Sequence, residues 1–135
     1  MEIEGGCYCG QLRYKSSGDV LFRGQCHCRE CQYISGGGPN YVQGMSEAGF
    51  RYTKGAPKVF RRKDLDGAVG REFCAECGTH VLTRSGGLPG AVLFKVGTFD
   101  DPACFEGPQV VIYACDKQPF HLVPEDVPTF DRLPG

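Results

Sequence analysis

The sequence predicts an all-β domain built mainly from short antiparallel strands. Short β-prone runs recur along the chain, each bounded by clusters of Gly, Pro, Asn, Asp or Ser. No stretch sustains a 3.6-residue apolar period. Glycine occupies 20 of 135 positions, about twice its usual share of about 7%, which favours tight turns over long helices. The length fits a single domain over residues 1–135, with an irregular Pro-rich tail at about 119–135.

Taken in order, Gly5-Gly6-Cys7-Tyr8-Cys9-Gly10 opens the domain, and an extended backbone there would turn Cys7 and Cys9 to one side. Gln11–Lys15 alternates as a strand does. Ser16–Asp19 is a turn, and Val20–Gln25 is the next strand. Cys26-His27-Cys28-Arg29-Glu30-Cys31 follows, then one helical turn at Gln32–Ser35 and the loop Gly36-Gly37-Gly38-Pro39. Asn40–Met45, Phe50–Thr53 and Lys58–Lys63 read as strands separated by turns. Val69–Phe73 leads into the Cys74–Cys77 knuckle, where Gly78 can take a positive φ. Thr79–Thr83 and Ala91–Val96 are strands, and Val110–Tyr113 is the most β-prone run. The tail from Pro119 carries four prolines and should lie irregularly over the surface.

Apolar residues make up 41% of the chain and the net charge is −1, which excludes a disordered class and does not favour nucleic acid or a membrane surface. No apolar run is long enough to span a bilayer, and Met1–Gly5 does not resemble a signal peptide. The expected location is the reducing cytoplasm, where clustered cysteines bind metal or react rather than form disulfides.

Seven of the nine cysteines fall into three groups: Cys7/Cys9, Cys26/Cys28/Cys31 and Cys74/Cys77. Thiolates are strong ligands for soft metals, and zinc is the usual metal of such clusters. The two doublets make a natural four-thiolate site that would staple the amino-terminal segment to the middle of the chain. Spacing alone does not fix which doublets share an ion. The triplet cannot close a tetrahedron by itself. Its fourth ligand could be water, a substrate thiol, His27, His80, Cys104 or Cys115. Three thiolates around Zn²⁺ carry about −1 net charge, so the centre is a poor activator of water. An incoming thiol suits it better, since the metal deprotonates the thiol while leaving the sulfur nucleophilic.

His27, lying between two cysteines, should point away from their side and serve a supporting role, while His80 could support the knuckle. His121 reads as a partly buried tail residue. Cys104 and Cys115 read as core residues, and Arg61-Arg62-Lys63 as a solvated strand end that could also receive a carboxylate.

Gly6–Gly10, Cys26–Cys31 and Arg71–Thr79, with Gly97-Thr98-Phe99-Asp100-Asp101-Pro102, resemble the glutathione-dependent formaldehyde-activating enzymes and their relatives around centromere protein V. Lys117-Gln118-Pro119-Phe120 stands where that family usually has Lys-x-Pro-Trp. The resemblance implies a zinc-stapled β-tent fold, with structural zinc on Cys7, Cys9, Cys74 and Cys77. It implies a catalytic zinc on Cys26, Cys28 and Cys31, where glutathione's sulfur adds to formaldehyde to give S-hydroxymethylglutathione. The expected activity is that of a carbon–sulfur lyase with glutathione and a small aldehyde as partners. The competing readings are a non-catalytic zinc module for a protein or nucleic-acid partner, and a thiol redox protein using Cys28 and Cys31. Redox Cys-x-x-Cys motifs commonly belong to βαβ patterns, which this chain lacks.

Overall fold

The computed structural model describes residues 1–134. It holds ten strands in two sheets, one short α-helix and four 3-10 turns. The smaller sheet runs β1 (Glu2–Gly6), β2 (Arg13–Ser17) and β5 (Phe50–Lys54). The larger orders β10 (Val110–Ile112), β3 (Val20–Cys26), β4 (Asn40–Ser46), β9 (Ala91–Lys95), β8 (His80–Arg84), β7 (Gly70–Phe73) and β6 (Lys58–Phe60). All pairings are antiparallel except β10 with β3.

The main core lies between the sheets. Ile3, Leu12, Tyr14, Met45, Val81, Leu82, Val92 and Phe94 fill it, with Cys7 and Cys74 at its edge. The alternating burial of β1 and β2 places one face of the small sheet inward. Tyr14 stacks on Phe94 with ring centroids 5.0 Å apart. A second, smaller cluster of Cys26, Cys31 and Ile112 packs with Phe22 and Val110 at the β3–β10 edge.

Gly97–Pro102 clasps the two sheets together. The Thr98 hydroxyl donates to Lys95 O at 2.7 Å and meets the Tyr14 hydroxyl at 2.8 Å. The Asp100 carboxylate accepts two hydrogen bonds from Arg13 on β2, and its backbone N–H donates to Glu4 O on β1.

Local chemistry corrects several sequence expectations. β1 lies where the sequence assigns no strand; its buried Ile3 and its pairing with β2 supply the stabilisation. Cys7–Gly10 is a tight turn rather than an extended segment, closed by Gly10 N–H on Cys7 O. The helical turn is longer than expected: α1 covers Arg29–Ser35, capped at its start by the Cys28 sulfur accepting from Cys31 N–H at 3.3 Å. It stops where Gly36 enters the left-handed region at φ 81°. β6 ends at Phe60 because Arg61 and Arg62 turn to other partners, Ala68 O and the Asp64 carboxylate. The tail is irregular as expected, yet it is tied beside β10 through Val111, Pro128 and Phe130.

Candidate metal centres

Two groups of sulfurs come together from separate elements. In the first, the turn after β1 brings Cys7 and Cys9 against Cys74 and Cys77, which follow β7. The knuckle is closed by Gly78 N–H on Cys74 O and by Cys74 N–H on Thr79 O. Gly78 takes φ 77°, the left-handed geometry that favours glycine. Tyr8 N–H donates to the Thr79 hydroxyl, bonding the two turns directly. Leu12 N–H donates to Cys7 Sγ at 3.2 Å, and the Thr79 hydroxyl lies 3.2 Å from Cys77 Sγ.

Cys7 Sγ and Cys9 Sγ are 3.6 Å apart, and Cys9 Sγ and Cys74 Sγ 3.7 Å. A tetrahedron with arms of about 2.3 Å has edges of about 3.8 Å, so these spacings suit a thiolate-bound metal such as zinc. Hydrogen bonds from the Thr79 hydroxyl and backbone hold Cys77 down to about 5. The Gln11 backbone works to lower Cys9, but desolvation and the three neighbouring sulfurs push it up to about 12. Four negative sulfurs cannot coexist there without a cation, which is the condition a metal satisfies.

The second group is Cys26, Cys28 and Cys31, whose sulfurs lie within 4.8 Å of one another. Register fixes its position: Cys26 stands opposite Asn40 on β4 and Ile112 on β10. Cys28 at the N-cap and Cys31 in the first turn of α1 complete the group. The neighbouring sulfurs of Cys26 and Cys28 hold Cys31 down to about 3, and Asn40 Nδ2 donates to its sulfur at 3.7 Å. Cys26 is pushed strongly up by the sulfurs of Cys28 and Cys31 and by burial. This cluster carries one negative charge readily and three only with a cation among them. Among the described residues no fourth His, Cys, Asp or Glu joins the group.

His27 points away from the sulfurs, as its place between two cysteines predicts. It is fully buried, with Nδ1 3.0 Å from His121 Nδ1 and Nε2 2.9 Å from Gln25 Nε2. His121 Nδ1 accepts from Gln118 N–H, and Nε2 meets Gly37 O at 2.7 Å. With His121 Nε2 donating to Gly37 O, its Nδ1 is the acceptor, and Gln118 N–H and His27 Nδ1–H share that one lone pair, while Gln25 donates to His27 and to Leu122 O. His121 is therefore buried and bonded rather than a half-exposed tail residue. Gln32 Nε2 adds bonds to His27 O and Asp116 O, so the triplet segment, α1 and the tail form one network.

His80 does not reach either sulfur group. It stacks on Phe73, and burial together with the charges of Lys95 and Arg71 holds its imidazole below its ordinary range. Cys104 packs on the core and Cys115 is exposed, and neither joins a group. Arg62 pairs with Asp64 and Glu30, and Arg71 with Glu30, bracing α1 against β7. Phe120 stands largely exposed. Lys95 and Asn40 escaped sequence reading. Lys95 carried a signal, a lone charge within the apolar run Ala91–Val96; burial brings it down to about 8 against the pull of the Cys31 sulfur.

The fold and sites define a β protein with two converging cysteine clusters, one of four sulfurs and one of three. The chain belongs to the glutathione-dependent formaldehyde-activating enzyme family, whose sequence model matches residues 2–116. Its fold is also that of a Rhodobacter sphaeroides protein solved by crystallography. The two superpose with a TM-score of 0.62 at 14% identity, over 95% of this chain and 100% of the other. No curated protein matches the chain.

Proposed function

We propose that this protein is a zinc-dependent enzyme of the carbon–sulfur lyase type that joins a thiol, glutathione, to formaldehyde or another small aldehyde. The observation that carries this reading is the three-sulfur cluster with no fourth protein ligand among the described residues. Family membership supports the thiol and the aldehyde as reactants. Cys7, Cys9, Cys74 and Cys77 would hold a structural zinc, and Cys26, Cys28 and Cys31 a catalytic one.

A zinc ion in the triplet would supply a centre that keeps an incoming thiol deprotonated at neutral pH. The rest falls to the chain. β3 and α1 orient the three sulfurs, and the Asn40 amide donates to Cys31 Sγ. The His27–His121 network anchors the strand end between the ligands. In the addition the sulfur–carbon bond forms and the carbonyl π bond breaks. The carbonyl oxygen then takes a proton, and nothing is oxidised or reduced. All nine cysteines are free thiols, which suits action in a reducing cytoplasm. No helix among the described residues is long and apolar enough to cross a membrane.

The test is formaldehyde consumption with glutathione, corrected for the uncatalysed addition, in the wild type and in Cys28→Ala. The expected result is catalysis by the wild type, and loss of both glutathione binding and turnover in the variant. No rate above the control with any small thiol and aldehyde would leave a closed zinc module as the better reading.

A further inference from the structure

A cleft of about 380 Å³ opens between the end of α1, the start of β4, the Cys74–Cys77 knuckle and the end of β9. Asn40 lines it and links it to the triplet through Cys31. Thr79, His80 and Thr98 line it as well, and Lys95 lies among them. Lys95 is 7% exposed, and no side chain among the described residues pairs with its ammonium. Among the described residues no carboxylate lines the cleft. The other charges that face Lys95 are Arg71 and the three triplet sulfurs.

The triplet sulfurs attract this ammonium from a distance, but none of them bonds to it, and a buried ammonium with no direct hydrogen-bonding partner is costly. The amide of Asn40, rather than Lys95, occupies the hydrogen-bonding position on Cys31. His80 shares the cleft wall, and its Nδ1 is buried with no hydrogen-bond partner. Formaldehyde is uncharged and far smaller than this space, so it neither fills the cleft nor pairs with the cation.

We propose that Lys95 is the seat of a carboxylate-binding subsite beside the triplet, taking a carboxylate carried by one of the two reactants. This rests on the thiol–carbonyl reading above. The carboxylate can arrive on the thiol or on the carbonyl partner, and the chemistry of recognition is the same: a largely buried ammonium in a cleft with no acidic side chain among the described residues. Lys95 thereby selects among reactants as a positioning residue. It leaves the bond-forming sulfur to the triplet.

The experiment is calorimetric titration of the metal-loaded protein with three probes. S-methylglutathione keeps the carboxylates and caps the thiol. Glyoxylate is a carbonyl compound with a carboxylate, and cysteamine is a thiol without one. Lys95→Met should weaken one of the two carboxylate probes by roughly 10–100-fold, the effect of removing a charge-assisted bond, and leave cysteamine unchanged. The probe that responds identifies the source. Equal weakening of all three, no dependence on Lys95, or loss of metal alone would overturn the subsite. Should Lys95→Met fail to fold, the wild type labelled at lysine Cε answers the same question. Lys95, the buried one among six lysines, should shift its signal with a carboxylate probe and not with cysteamine. An unmoved signal overturns the proposal. The titration involves no turnover. Absent catalysis with Lys95-dependent binding therefore refutes only the reaction, and catalysis with Lys95-independent binding refutes only the subsite.

Discussion

Replacing Cys74 with Ser removes a buried sulfur 3.7 Å from Cys9 and 65 residues away from it in sequence. If a metal links these residues, it closes that loop in the folded protein and holds it partly closed before folding. The loop-closure relation for a cross-link over 65 residues gives roughly 4 kcal/mol. Spread over the unfolding entropy of a chain of this length, that is a fall of roughly 15 °C in Tm. The variant also places a hydroxyl where a sulfur met its partners, so the loss should not be smaller. The assay is thermal unfolding by circular dichroism, with metal content measured on the same samples. Cys74→Ser should lose one metal equivalent and unfold far earlier, or aggregate. A soluble variant that keeps its metal, with Tm within about 3 °C of wild type, would refute the staple.

Mild chelation should take metal from the three-sulfur group first, with far-UV dichroism unchanged; simultaneous metal loss and unfolding would mean two closed structural sites. His121→Phe strips partners from His27 Nδ1 and Gly37 O. It should cost about 2–3 kcal/mol in urea unfolding and speed proteolysis of the tail, and an unchanged midpoint would mean the network is idle. Burial and the hydrogen bond to Glu72 raise the Tyr52 hydroxyl well above its ordinary range. The folded state then holds that proton more tightly than the unfolded chain. The stability it gives is complete below pH about 10 and is lost as pH rises further. Stability against pH should show this alkaline decline, reduced in Tyr52→Phe, and an identical decline in the variant would assign it elsewhere.

Local signals in the sequence located most of the strands, the knuckle and the sulfur groups. Cys-x-Cys-x-x-Cys and the two doublets carry their grouping in their spacing, and Gly78 its turn in its residue type. What stayed hidden was set by distant partners. β1 is a strand because β2 pairs with it, against its own composition. The parallel β10–β3 pair joins segments far apart in sequence, and no local pattern announces it. His121 read only as a partly buried tail residue because its partner, His27, lies 94 positions away. α1 begins under a sulfur cap rather than a Ser, Thr, Asp or Asn, so the usual start signal is missing. Lys95 was legible in part: a charge inside an apolar strand demands a reason, and only the fold showed the cleft beside it.

Whether the triplet accepts an external sulfur is decided by cobalt substitution. Protein loaded with Co²⁺ at both clusters is titrated with glutathione while the sulfur-to-cobalt charge-transfer absorption is followed. An open three-sulfur site gains a fourth sulfur, so the band should grow to saturation at one glutathione per chain, and Cys28→Ala should abolish the increment. A spectrum that glutathione leaves unchanged, in protein shown to carry cobalt at both clusters, would contradict an open thiol-accepting site.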